Sequence, residues 1–106
     1  TYCASAHTVL GSQAGVSAGE AEINIEGRSE DPKTQAALQF ARAVAISRGH
    51  IEDAAFDAVR AAGFTDGEIA EIVGHVALNT FTNIFNSVAD TEVDFPRVEI
   101  PAGVSA

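Results

Sequence analysis

Apolar residues recur along most of this chain at helical spacing, and the alternating pattern of a half-buried strand is nearly absent. The clearest rhythm begins after Gly63, where apolar positions follow one another three or four residues apart, as on one face of an α-helix. These positions are Ile69, Ile72, Val73, Val76, Ala77, Phe81, Ile84, Phe85 and Val88. The pattern predicts an all-α fold in which this segment forms the longest helix.

Start and stop signals divide the rest of the chain into shorter helices. Asp31 before Pro32 is a typical N-cap followed by proline at the first helical position. Ser17 and Thr65 each precede a glutamate by three residues, which is the spacing of a capping box. The predicted helices are Thr1 to about Ala14, Ala18 to about Glu26, Pro32 to about Arg48, Ile51 to Ala62, and the long helix that opens after Thr65.

The helical pattern ends after Asp90. Pro96 and Pro101 interrupt any regular helix, so the residues from Val93 to Pro101 are predicted to form an extended tail. The tail is too apolar for a disordered linker, and we expect it to pack against a helix or a neighbouring subunit.

Length and composition predict one helical domain over residues 1–106 with a thin core. The chain is 46% hydrophobic but rich in alanine, with no Trp and no Met. Alanine-rich helices pack closely and bury little volume per residue, and a domain of this size has a single core. Self-association is therefore expected, and we predict a homo-oligomer.

The net charge of −9 argues against nucleic acid and anionic membranes as partners, because both would repel this surface. No apolar run approaches the roughly 18 residues of a membrane span. A single cysteine cannot form an internal disulfide, which favours a cytoplasmic location. The three histidines lack the spacing of metal ligands, and no phosphate-binding loop is present, so neither a metal nor a cofactor is predicted.

The single cysteine, Cys3, stands four residues before His7. On a helix, this separation places the thiol and the imidazole on one face, one turn apart. The thiolate is the nucleophilic form of cysteine, and a neighbouring imidazole can accept the thiol proton. These two residues are therefore candidate catalytic groups. The alternative is that Cys3 is a small buried apolar residue and His7 its hydrogen-bonded neighbour.

A second set of polar residues lies along the long helix, away from its apolar face. His75 shares this face with Asn79, and Asn83 follows four residues later. Such a polar face could line a pocket or form hydrogen bonds between subunits, and the second interpretation is favoured. Tyr2, beside Cys3, is a further candidate for a pocket or an interface.

The order of these motifs resembles a known superfamily. Tyr2-Cys3-Ala4-Ser5-Ala6-His7-Thr8 is similar to the second half of the Cys-x-x-Cys-x-x-x-His signature of the alkylhydroperoxidase D-like, or carboxymuconolactone decarboxylase, superfamily. Asp31-Pro32-Lys33, the segment Ala62 to Ile69, Phe81-Thr82-Asn83 and Val93-Asp94-Phe95-Pro96 follow in the order of that family.

The resemblance implies an antiparallel helical bundle that assembles as a trimer or hexamer. It assigns Cys3 to the second cysteine of the signature and His7 to its histidine. The first cysteine would fall immediately before Thr1, so the sequence is interpreted as the C-terminal part of a longer protein. In members with both cysteines, the resemblance implies peroxidase chemistry on a hydroperoxide substrate with an external dithiol as reductant.

Three functions remain open from the sequence. The leading hypothesis is a thiol-dependent peroxidase of the alkylhydroperoxidase D-like type, which would reduce hydroperoxides through a Cys-x-x-Cys pair of which only Cys3 is present here. The second is a carboxymuconolactone decarboxylase-type lyase, a branch that lacks the paired cysteines and relies on polar pocket residues. The third is a non-catalytic helical oligomerisation module in which Cys3 is inert.

Overall fold

The computed structural model describes residues 1–104 and is all-helical over that range, with no strand. Its five helices begin and end close to the boundaries that the sequence predicts, which confirms the all-α class. The helices are α1 (Tyr2–Gln13), α2 (Ala18–Ile25), α3 (Pro32–Ser47), α4 (Asp53–Ala61) and α5 (Asp66–Val88).

The predicted caps hold the starts of α3 and α5. The Asp31 carboxylate accepts a hydrogen bond from the Thr34 backbone N–H at 2.7 Å, with Pro32 in the first turn. The Thr65 hydroxyl accepts from the Glu68 N–H at 3.2 Å, and the Glu68 carboxylate accepts from the Thr65 N–H at 2.7 Å. Both predicted start signals are thereby confirmed.

These caps also favour the ionised form of two carboxyl groups. The pKa of Asp31 lies below its ordinary value chiefly because the Thr34 hydroxyl donates a hydrogen bond to the carboxylate. The pKa of Glu68 is lowered chiefly by the backbone N–H of Thr65. The two helix starts therefore depend on ionised carboxylates.

The contacts of the chain form two compact units. The first, here called the cysteine unit, consists of Thr1–Glu26 and the chain from Phe81 onward; the second, the core unit, is Gly27–Thr80. The predicted single domain over residues 1–106 includes residues 105 and 106, which lie outside the described residues.

The core unit contains a cluster of large buried side chains. Phe40 and Val44 on α3, Val59 on α4 and Ile69 on α5 are buried together. The Phe40 ring meets the ring of Phe56 edge to face, with centroids 6.0 Å apart. Partly buried apolar side chains complete this cluster: Ile51, Phe56, Phe64, Ile72 and Val76. Burial of this set is the main source of stability in the unit.

The cysteine unit is built around much smaller buried residues. Ser5 and Ala6, on α1, are its buried positions within the described chain. The tail packs on the same helix: the Val98 N–H donates to the Ser5 hydroxyl at 2.9 Å, and the Phe95 and Tyr2 rings meet at right angles with centroids 5.9 Å apart. The prediction of a packed tail is confirmed.

The apolar face of α5 is buried over only part of its length. Ile69 is buried and Ile72 is half-buried in the core unit, as predicted. Val73 and Ala77, which belong to the same predicted pattern, are exposed, and so are Phe81, Ile84, Phe85 and Val88 further along the helix. Periodicity identifies the face of a helix but does not determine which part of it meets the rest of the chain.

Candidate functional site

Cys3 lies in the first turn of α1 as a half-buried free thiol. Two asparagines of α5 contact its sulfur atom. The thiol donates towards Asn83 Oδ1 at 3.9 Å, and Asn86 Nδ2 donates to Cys3 Sγ, also at 3.9 Å. Asn83 and Asn86 are three residues apart and therefore lie on one face of α5. The thiol is held between an amide acceptor and an amide donor.

His7 lies one turn after Cys3 on α1, as the sequence predicts, but its imidazole is exposed. Within residues 1–104 it forms no hydrogen bond and no ion pair. The structure thus places the Cys3 sulfur against amide groups of α5 and leaves the His7 ring open to solvent. The two residues share a helix, and no hydrogen bond joins them.

An open cleft of about 630 Å³ lies between the start of α1 and the end of α5. Asn83 and Asn86, which contact the sulfur, also line this cleft, together with Tyr2. Asp90, Glu92 and Arg97 supply its charged groups. The cleft is predominantly polar, and Cys3 is not one of its lining residues, although its sulfur contacts two of them. A small polar molecule fits these walls better than a long apolar chain does.

The other two candidates on α5 lie elsewhere, on the surface of the core unit. His75 is exposed, with its Nε2 3.7 Å from Glu71 Oε1. The Asn79 side chain donates to the His75 carbonyl at 2.8 Å, within its own helix. Neither residue lines the cleft. The residues of the predicted polar face of α5 therefore have different environments. Asn83 contacts the thiol, whereas His75 and Asn79 are exposed at the surface.

Asn86 is the site residue that the sequence analysis did not identify. It follows Asn79 by seven residues and Asn83 by three, so it continues the same polar face of α5. This helical spacing was the sequence signal that could have identified Asn86. A polar face defined by Asn79 and Asn83 and continued by one more helical turn includes Asn86.

Known proteins provide no further identification: no family model, no curated protein and no solved structure matches the chain. Across residues 1–104, no group of three or more His, Cys, Asp or Glu side chains is placed to hold a metal ion. Nor does any helix in that range have the length and apolar character needed to cross a membrane. The features that bear on function are therefore the surroundings of Cys3 and the residues 2–8 that resemble the signature.

Proposed function

We propose that this protein is a thiol-dependent peroxidase of the alkylhydroperoxidase D-like type. The observation that carries the proposal is a free, half-buried cysteine whose sulfur contacts the side-chain amides of Asn83 and Asn86, two residues that line a polar cleft. A cysteine that only fills space needs no contact with two polar side chains. The resemblance of residues 2–8 to the family signature supports the same assignment.

In the proposed reaction the Cys3 thiolate attacks one oxygen of a hydroperoxide, and the O–O bond breaks. The sulfur is oxidised to a sulfenic acid, and the other oxygen leaves as an alcohol, or as water from hydrogen peroxide, after taking a proton. A thiol of an external dithiol then condenses with the sulfenic acid and releases water. The second thiol of the reductant displaces the Cys3 thiolate from this mixed disulfide and restores the enzyme.

Each site residue has a role in this scheme. Cys3 is the nucleophile. His7, one turn further along the same helix, is the proposed acceptor of the thiol proton and its donor to the leaving oxygen, although no hydrogen bond joins it to Cys3 in the resting structure. Asn83 and Asn86 contact the sulfur and also line the cleft. Tyr2 forms part of the cleft wall. The polar lining favours small hydroperoxides, and a cytoplasmic location would supply the dithiol reductant.

We also propose the antiparallel bundle of this superfamily and a homo-oligomeric assembly, a trimer or hexamer. The support for the assembly is the thin core of the cysteine unit and the apolar surface that α5 leaves exposed. The polar face of α5 is compatible with contacts between subunits at His75 and Asn79, because both are exposed.

The lyase remains the second candidate because Arg97 is among the residues that line the cleft, and a guanidinium group is suited to bind a substrate carboxylate. In a lyase of this type the cleft residues act on the substrate and Cys3 does not. The two functions therefore differ in whether Cys3 is required.

The test measures hydroperoxide consumption by two proteins, the wild type and the Cys3→Ser variant. Dithiothreitol is the reductant, and hydrogen peroxide and tert-butyl hydroperoxide are the substrates. We expect the wild type to consume peroxide and the variant to lose this activity, because a serine hydroxyl is not ionised at neutral pH. Dimedone, which traps sulfenic acids, should add to Cys3 after one equivalent of peroxide, as detected by mass spectrometry.

Equal peroxide consumption by the two proteins would refute the proposal. Absence of a dimedone adduct at Cys3 would do the same. Turnover of a carboxylated lactone that Cys3→Ser leaves unchanged would favour the lyase instead.

A further inference from the structure

The polar cleft of the cysteine unit carries charges of both signs. Asp90 and Glu92 supply carboxylates to its wall, and Arg97 supplies a guanidinium group. Of the described residues that line it, Val93 is the one with an aliphatic side chain. Its volume of about 630 Å³ is in the size range of small-molecule sites in proteins. The ligand is expected to carry charge, because an apolar molecule would displace water from these groups and give them no partner.

The charged groups of the cleft are available to a ligand. The carboxylates of Asp90 and Glu92 form no hydrogen bond and no ion pair within residues 1–104. Arg97 approaches Glu99 with its Nε 4.0 Å from Oε1, and both side chains are largely exposed. An ion pair this long and this exposed contributes little to stability. Because the approach is at Nε, the two terminal NH₂ groups of the guanidinium remain for a ligand.

Asp90 occupies a position at which an acidic residue does not favour the fold. It follows α5 with a φ of 50°, in the left-handed region where glycine is the least strained residue. Its negative charge also lies just beyond the C-terminal end of α5, which is the negative end of the helix dipole. Both features cost stability, and strained residues of this kind are concentrated at functional sites. The Asp90 carboxylate is therefore best explained by what it meets in the cleft.

We propose that this cleft binds a small zwitterion of the amino-acid class, a molecule that carries both an ammonium and a carboxylate group. The ammonium group lies against Asp90 and Glu92, and the carboxylate binds the guanidinium of Arg97. A ligand with only a carboxylate would bring a third negative charge next to two carboxylates, and a ligand with only an amine would leave Arg97 without an anion. Asn83 and Asn86 offer amide groups for further hydrogen bonds.

The inference goes beyond the proposed peroxidase and does not rest on it, because binding at these charges requires no reaction at the thiol. Affinity is measured on the wild type in the absence of peroxide and of reducing thiols. Binding of a zwitterion by a protein that consumes no peroxide would support this inference and refute the peroxidase. Peroxide consumption without zwitterion binding would do the reverse, so the two failures are distinguishable.

Isothermal titration calorimetry with matched probes tests the charge requirement. The zwitterions are glycine, β-alanine, γ-aminobutyrate and ε-aminocaproate, which differ in the separation of their two charges. Each is compared with the amine and the carboxylate of the same chain length, such as butylamine and butyrate for γ-aminobutyrate. We expect the best zwitterion to bind at least about tenfold more tightly than its matched amine and carboxylate, because it alone forms both ion pairs. Equal affinity of either matched probe, or no binding of any zwitterion at millimolar concentration, would overturn the inference.

Two variants assign the charges, and each has a matched control. Arg97→Gln and Asp90→Asn should each weaken binding of the best zwitterion by at least about fivefold, since each removes one ion pair. The controls are Arg48→Gln and Asp57→Asn, at exposed residues of the core unit that do not line the cleft. These controls change the net charge of the chain by the same amount and should leave the affinity unchanged. Equal weakening by site and control variants would overturn the inference, because the effect would then come from overall charge.

Asp90→Gly separates binding from folding. Glycine adopts a φ of 50° without strain and removes the charge at the end of α5, so the thermal midpoint of the unliganded variant should equal or exceed that of the wild type. The affinity for the zwitterion should nevertheless fall as it does in Asp90→Asn. Helical circular dichroism confirms that the variants fold. A lowered midpoint with unchanged affinity would show that Asp90 serves the fold rather than a ligand, and would overturn the inference.

Discussion

The core unit and the cysteine unit are built from the same helical pattern but differ in what they bury. The core unit places Phe40, Val44, Val59 and Ile69 in one cluster. The cysteine unit buries Ser5 and Ala6, and leaves the apolar face of its part of α5 exposed. The thiol, the polar cleft and the uncovered surface thus all belong to the unit with the smaller core. The core unit therefore holds the large buried side chains, whereas the residues of the proposed chemistry belong to the cysteine unit.

The largest expected effect is on the stability of the core unit. Phe40→Ala should lower the free energy of unfolding by about 3–5 kcal/mol, because Phe40 is buried and its removal leaves a cavity next to Phe56. Chemical denaturation followed by circular dichroism measures the loss. Ile46→Ala, at an exposed position of α3, is the control and should change stability by well under about 1 kcal/mol. Similar losses in both variants would mean that the cluster does not dominate stability.

Substitution of His7 distinguishes a catalytic role of this residue from a structural role in the cysteine unit. If His7 is the proton acceptor proposed above, His7→Ala should slow peroxide consumption by roughly 10²-fold, the scale of general acid–base catalysis, and leave thermal stability nearly unchanged because the side chain is exposed. His50→Ala, at an exposed histidine of the core unit, should affect neither quantity. Unchanged turnover with a lowered thermal midpoint would show that His7 is a structural residue.

A smaller effect is expected where the tail meets α1. Ser5→Ala removes the acceptor of the Val98 N–H and should cost about 1–3 kcal/mol, because the N–H group loses its partner in a partly buried position. Hydrogen exchange of residues 93–100 should become faster. Ser47→Ala is the matched control, since the Ser47 hydroxyl donates only to the Ala43 carbonyl of its own helix. Equal exchange rates in wild type and Ser5→Ala would show that this hydrogen bond does not hold the tail.

The smallest effect is a pH dependence at the start of α5. The folded pKa of Glu68 is below its ordinary value of 4.5, so its ionised form stabilises the folded chain. This contribution is present above the ordinary pKa and is lost as the pH falls through the lower, folded value. The thermal midpoint of the wild type should therefore decrease below about pH 5 more steeply than that of Glu68→Gln, which does not titrate. Parallel pH profiles would contradict a role for the Glu68 charge.

Local signals predicted the elements well because caps and periodicity act within a few residues. Asp31 with Pro32, and Thr65 with Glu68, start α3 and α5 through hydrogen bonds that span three residues. The candidate site was predicted less completely. Cys3 and His7 were paired by their helical spacing, yet the groups that contact the Cys3 sulfur come from α5, about eighty residues further along the chain. Helical spacing does not reveal such a contact.

The sequence by itself determined the all-helical class, the positions of the five helices and the packing of an apolar tail, because each follows from backbone hydrogen bonding and side-chain periodicity close in the chain. Only the tertiary structure decided that Asn83 and Asn86 face the thiol, that His7 faces solvent, and that the large apolar side chains of α5 from Phe81 to Val88 are exposed. The physical reason is that periodicity defines the faces of a helix, whereas the packing of distant segments selects which face meets protein and which meets water.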